Sequence, residues 1–208
     1  MYTITNLLFF FAFFHNIGFM FDQGTEAMTL IKLGTSISLC GQYLLYGLGG
    51  DIDDGIQTYK TMIPLFTSFF LYDLFYMSLY LKKITLVYKV LIYHHIVLIV
   101  CSMFEHTQAY PVMAQTYFVG EFSNIFLYCQ YFLMKFSKNK LLINKFHKIE
   151  TTVYIFCRSV IGTFILFYTD IAIKLGYSFY YCWFPLYMMG NIWSIKLLRQ
   201  LYKKNNIK

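Results

Sequence analysis

Seven stretches of this chain are apolar over roughly 20 residues each, the length of helix that crosses a bilayer. They cover residues 4–21, 28–48, 61–81, 86–104, 110–134, 152–173 and 177–198. Together they fill most of the 208 residues and leave no room for a soluble domain. In hydrocarbon every backbone N–H and C=O must find its partner inside the protein, which for apolar runs of this length means helix. The expected fold is therefore all-α: a polytopic transmembrane helical bundle of about seven spans (six to seven). Composition agrees, since 13% of residues are charged where a soluble domain carries about 25%. No basic residue precedes the first stretch and no A-x-A-like site follows it, so it is read as a retained helix and not as a signal peptide.

The net charge of +7 is spread along the chain in a way that excludes nucleic acid as the partner. With seven spans, the loops on one side carry Asp51, Asp53, Asp54 and Glu105 against Lys60 and Lys174. The other side receives Lys82, Lys83, Lys135, Lys138, Lys140, Lys145, Lys148, Arg199, Lys203, Lys204 and Lys208. Lysine and arginine in short loops mark the cytoplasmic face. The C-terminus is thus expected in the cytoplasm and the N-terminus lumenal or outside, with anionic lipid headgroups meeting the basic cytoplasmic face. Cys40, Cys101, Cys129, Cys157 and Cys182 fall one to a span with no C-x-x-C spacing, which signals neither a disulfide framework nor a zinc site.

The residues that carry chemistry are those a bilayer should exclude. Asp73 lies in the third stretch, Lys89, His94 and His95 in the fourth, Glu121, Ser123, Asn124 and Gln130 in the fifth, Arg158 in the sixth and Asn191 in the seventh. Lys89 is about one turn from the cytoplasmic end and can snorkel there. A carboxylate at the bilayer centre costs roughly 2.5–3.5 kcal/mol on insertion scales, so the group is expected to converge on an interior polar cavity. Asp73, Glu121, Ser123, Asn124, Arg158 and Asn191 are its candidate lining or lipid-binding residues, and His94 and His95 the candidate catalytic pair. Adjacent helical residues point about 100° apart, so one histidine faces the cavity while the other bonds a neighbouring helix. A neutral imidazole suits a general base, with Asp73 or Glu121 fixing its tautomer. Glu121 and Asn124, three apart, share a face with Tyr117 and Tyr128. The alternative is that these groups only join helices by hydrogen bonds. No metal site is expected: there are five histidines in all, and His15, His106 and His147 lie at or near span ends on different helices.

Five segments recur in a familiar order: "FFLYDLFYMSLY" (69–80), "YHHIVLIV" (93–100), "GEFSNIFL" (120–127), "FCRSVIG" (156–162) and "GNIWSIKLLRQLYKK" (190–204). The set resembles the TLC-domain family of membrane proteins, which includes ceramide synthases, translocation-associated proteins and small lipid-related proteins. It is most similar to the short branch of TLC-domain-containing proteins. The resemblance divides the chain into an N-terminal helix and loop (1–27), a TLC-like transmembrane domain (28–204) and a basic cytoplasmic tail end (205–208). It implies a helical bundle with a cavity open to lipid or acyl chains. In ceramide synthases a paired histidine serves acyl transfer from acyl-CoA to a sphingoid amine, and His94 and His95 match that pair. Other positions depart: Leu98 stands where a threonine is expected, and Gly120 to Asn124 replace an H-D-x-x-D element, keeping a carboxylate at Glu121 but no histidine.

The expected function is that of a multi-pass membrane protein that binds or senses a lipid and influences membrane lipid composition, its partner being a membrane lipid or acyl chain. Two alternatives stay open: a ceramide-synthase-like N-acyltransferase acting on acyl or sphingoid lipids, and a structural or trafficking partner. No cofactor is implied, save acyl-CoA under the enzyme alternative. The resemblance points to the endoplasmic reticulum or the plasma membrane, and no oligomeric state is implied.

Overall fold

The protein is described by a computed structural model over residues 9, 12–16, 25–46, 52–80, 86–103, 110–168 and 170–206. Most of the first expected stretch lies outside these residues, as do Asp51, Lys82, Lys83, Glu105 and Lys208 and the side chains of Asp53, Asp54, Lys174 and Lys204. The described residues are helical almost throughout and contain no strand. We number the helices α1 (Thr25–Tyr46), α2 (Ile52–Tyr80), α3 (Leu86–Met103), α4 (Tyr110–Phe136), α5 (Lys140–Ile155), α6 (Gly162–Tyr168) and α7 (Asp170–Asn206), with a π-helical turn, Phe156–Ile161, joining α5 to α6.

Each apolar stretch from residue 28 onward overlaps one of these helices or runs of helix, and the last residues of the sixth, 170–173, belong to α7. The largest difference is at the sixth, expected to begin at 152, where helix already starts at Lys140. Its start is fixed locally: the Asn139 side chain accepts from the Leu142 N–H at 3.0 Å, and Asn139 N donates to Ser137 Oγ at 3.1 Å. This is an N-cap. The segment that follows, with Lys145 and Lys148 exposed and His147 and Glu150 buried, is amphipathic and not a loop. Among the described residues one helical run, Lys140–Tyr168, is by length and composition long and apolar enough to cross a membrane. Its outer side is a stripe of Phe156, Val160, Phe164 and Tyr168, all more than half exposed, spaced as one helix face. Met62–Ser78 and Lys89–Val100 are shorter apolar helices.

The chain divides into two compact units, Met1–Ala114 and Gln115–Lys208. In the first, α1 packs on α2 and α2 on α3. Ile31, Leu39, Met62, Phe66, Phe69, Phe70, Tyr72 and Leu98 are buried, and Phe14 meets Phe69 edge-on and stacks on Tyr72. In the second, α7 packs along α5, the π turn and α6, burying Tyr154, Cys157, Ile165, Leu166, Trp183, Leu186 and Leu197. Helix hydroxyls return to carbonyls of their own helix, Thr29 to Thr25, Ser68 to Pro64, Thr151 to His147 and Ser194 to Gly190. These four hydroxyl donors are thereby paired within their own helices, as an apolar setting requires. At the π turn the Gly162 N–H reaches back to the Cys157 carbonyl. Thr163 donates its hydroxyl to the Ser159 carbonyl and meets Tyr187 Oη of α7 at 2.8 Å.

Candidate functional site

In the first unit the polar cluster is built on Asp73. The residue lies on the buried stripe of α2 formed by Met62, Phe66, Phe69, Phe70 and Met77, and is itself 2% exposed. Its Oδ2 is 2.9 Å from Lys32 Nζ of α1 and 3.6 Å from His95 Nδ1 of α3. The first distance is a formed ion pair. The second is too long for a hydrogen bond, and His95 Nδ1 is buried without a hydrogen-bond partner. His95 shares its face with Leu98 and Ile99, which explains its burial, and its ring lies 4.7 Å from that of Phe70. The His94 ring is 5.5 Å from His95 and edge-on to Phe70 at 6.2 Å. The histidine pair, Asp73 and Phe70 thus form one patch.

Lys32 is the residue that sequence reasoning overlooked. The signal was present: it is an isolated lysine four positions inside an apolar stretch, and intramembrane ionisable groups seek a partner. What the sequence does not contain is the partner's identity, since Asp73 belongs to another helix. The Lys32 side chain is 26% exposed against 3% for Asp73, so its stem packs while its ammonium caps the carboxylate.

In the second unit the cluster is built on Arg158, carried by the π turn. Its Nε donates to Ser123 Oγ at 3.0 Å, and its Nη2 donates to the Gly120 carbonyl at 2.9 Å and to Asn124 Oδ1 at 3.1 Å. The Ser123 hydroxyl donates in turn to the Gly120 carbonyl at 2.7 Å, so it accepts from arginine and donates onward. Asn124 Nδ2 donates to Glu121 Oε2 at 3.3 Å. Only one orientation of the Asn124 amide serves both neighbours, because a guanidinium only donates and a carboxylate only accepts. The guanidinium carbon also sits 5.5 Å from the centroid of the Tyr154 ring, a cation–π contact. Asn191, expected at the same site, donates its amide to the Tyr187 carbonyl of its own helix at 2.9 Å.

Two glycines make room for the arginine. A Cβ at Gly190 would stand 3.3 Å from Arg158 Cβ and 3.4 Å from its Cδ, and one at Gly120 would stand 3.4 Å from Nη1. Gly190→Leu is therefore expected to push the Arg158 stem off α7 and to lower stability by about 1–3 kcal/mol, the usual range for overpacking. Gly190→Ala, needing a shift of only tenths of an ångström, is expected to be distinctly milder. Thermal unfolding of the purified variants in one detergent checks the ordering.

A third polar pair was not singled out from the sequence. His147 and Glu150 of α5 are 4% and 3% exposed, and His147 Nδ1 lies 2.7 Å from Glu150 Oε2. Gln130 of α4, also buried, donates to the Ile143 carbonyl one turn earlier on α5, at 3.4 Å. The available signal was a histidine and a glutamate three apart, which share a helix face. Among the described residues no group of three or more His, Cys, Asp or Glu side chains is assembled that could hold a metal ion.

A TLC domain model matches residues 50–202. No curated protein and no solved structure matches the chain. Asp73, His94, His95, Glu121, Arg158 and Asn191 all fall inside the match, whereas Lys32 lies before it. Because the match covers well over half of the chain, the protein belongs to the TLC domain family, a family of lipid-related membrane proteins.

Proposed function

We propose that the protein is a multi-pass membrane protein, of about seven passes with the C-terminus cytoplasmic, that binds or senses a lipid and so influences membrane lipid composition. The observation that carries this reading is His95. A histidine kept only to join helices would make a hydrogen bond to a neighbour, yet its Nδ1 makes none and stands 3.6 Å from the nearest carboxylate oxygen. A polar group held in reserve inside an apolar bundle is what a ligand with a polar head requires. The outer faces support a bilayer setting, with Leu30, Ile37, Leu44, Phe156, Val160, Phe164 and Ile192 all exposed. The turn between α4 and α5 supports the orientation and a contact with anionic headgroups. At the turn and along the first turns of α5, Lys135, Lys138, Lys140, Lys145 and Lys148 are exposed among Phe136, Leu141, Leu142 and Ile149, also exposed. The endoplasmic reticulum or the plasma membrane is the host membrane in this reading.

The acyl-transfer alternative draws on the same juxtaposition of His95 and Asp73, and only there would acyl-CoA enter. It is the second reading because Lys32 holds the Asp73 oxygen that would have to orient the imidazole. The test is native mass spectrometry with lipidomics on the purified protein and on the His94→Ala/His95→Ala variant. Wild type is expected to retain an acyl lipid, and the variant, while still folded, to retain about fivefold less, the size of one lost hydrogen bond. A wild type that carries no lipid overturns the proposal.

A further inference from the structure

Arg158 presents a charge that the protein does not directly neutralise. Its three bonded partners, the Gly120 carbonyl, Ser123 Oγ and Asn124 Oδ1, are all neutral. Among the described residues no carboxylate oxygen lies within ion-pair distance of it. Glu121 comes nearest in the network but is separated by the Asn124 amide, which occupies one of its oxygens. Two of the three guanidinium nitrogens are used. The third, Nη1, makes no hydrogen bond among the described residues and is not one of the sealed, unbonded nitrogens of the interior. The Gly120 side toward which Nη1 points is kept clear by the missing side chain. A guanidinium is always charged and its planar fork matches carboxylate or phosphate oxygens. The π turn adds to the argument, since such insertions sit at functional sites more often than elsewhere in helices.

We propose that Arg158 is the seat for the oxyanion head, carboxylate or phosphate monoester, of a net-anionic membrane amphiphile, with Nη1 as the open donor and Gly120, Ser123, Asn124 and Tyr154 holding the guanidinium rigid. This rests on the lipid reading above and specifies its ligand class. The site's depth favours an amphiphile over a soluble anion. Arg158 is six residues into the apolar stretch that begins at residue 152, about 9 Å along the helix at 1.5 Å per residue, and it is flanked by Ile155, Phe156, Cys157, Val160 and Ile161. Glu121 has a defined part: its negative charge, one amide away, opposes the incoming anion and sets how tightly it is held.

The experiment is native mass spectrometry of the full chain in mild detergent, titrated with dioleoyl phosphatidic acid, oleate and dioleoyl phosphatidylcholine, with inorganic phosphate as competitor. Wild type is expected to prefer phosphatidic acid or oleate to phosphatidylcholine by about tenfold or more, the worth of a charge-assisted bond. Arg158→Gln is expected to erase the preference and Arg158→Lys to keep part of it. Glu121→Gln is expected to strengthen it about fivefold, which removing a merely structural hydrogen-bond acceptor would not do. Should Arg158→Gln fail to fold, the wild-type preference and the Glu121→Gln increase still decide the matter. Equal retention of charged and zwitterionic lipid by wild type, or no gain in Glu121→Gln, overturns this inference and leaves the lipid reading standing. Displacement of the anionic lipid by millimolar inorganic phosphate also overturns it. Retention of no lipid of any class overturns both.

Discussion

Asp73→Ala is expected to destabilise the protein by about 3 kcal/mol. Removing one member of a buried ion pair costs about 3–5 kcal/mol because the other is left uncompensated. The lower end applies because the Lys32 side chain is 26% exposed and can turn partly outward. Lys32→Met is expected to cost a comparable amount, since it leaves the Asp73 carboxylate, 2% exposed, among Phe66, Phe69 and Phe70 with only an imidazole at 3.6 Å. The Lys32→Met/Asp73→Leu double variant is expected to recover most of the loss, because well-packed apolar side chains replace buried ion pairs at little penalty. Unfolding in mixed micelles of rising SDS content, followed by far-UV circular dichroism, gives the double-mutant cycle. Additive single effects would show that Lys32 and Asp73 do not act as a pair. The cycle also separates the histidines from the ion pair. If His95 leans on Asp73 only loosely, His95→Ala changes lipid retention while leaving the coupling between Lys32 and Asp73 intact.

The second large effect is expected at Glu150. Its carboxylate accepts at 2.7 Å from a histidine nitrogen in a site where both side chains are buried. The other ring nitrogen, His147 Nε2, has no hydrogen-bond partner. Glu150→Ala therefore leaves an imidazole with both nitrogens unbonded in the interior, at a cost of about 2–3 kcal/mol. Glu150→Gln keeps an acceptor oxygen of nearly the same reach and is expected to cost under about 1 kcal/mol, in line with an ordinary neutral hydrogen bond. Thermal unfolding followed by the emission of Trp183, buried in the same unit, reads the difference. Equal destabilisation by alanine and glutamine would mean that the charge, and not the acceptor geometry, holds His147 in place.

Much of the candidate chemistry was legible because a polar residue in an apolar run is visible without any structure. Asp73, His94, His95, Glu121 and Arg158 each stand out in this way, and Glu121 with Asn124 could be joined by spacing alone; the structure gives that pair a hydrogen bond. Spacing failed where the partner lies on another helix. Nothing near Lys32 in sequence announces Asp73, and nothing near Arg158 announces Gly120 or Gly190. Asn191 was expected at the polar site because it too interrupts an apolar run, yet it returns its amide to its own helix. The start of the sixth helical run was misplaced for a different reason. The segment from Lys140 to Glu150 reads as polar when averaged, but its charges and its buried face alternate with helical period, and the Asn139 cap begins the helix before the apolar run does.

The sequence by itself determined that the described residues are helical and that the chain belongs in a membrane, because long apolar runs allow few other ways to pair their backbone groups there. It also determined which residues would be costly there, since that cost depends on residue type and depth alone. Only the tertiary structure decided how the cost is met: Lys32 on Asp73 in the first unit, three neutral acceptors and two glycines around Arg158 in the second. The physical reason is range. Helix formation and burial are set within a few turns of chain, whereas an ion pair or a guanidinium clamp is set by which side chains different helices bring within about 3 Å of each other.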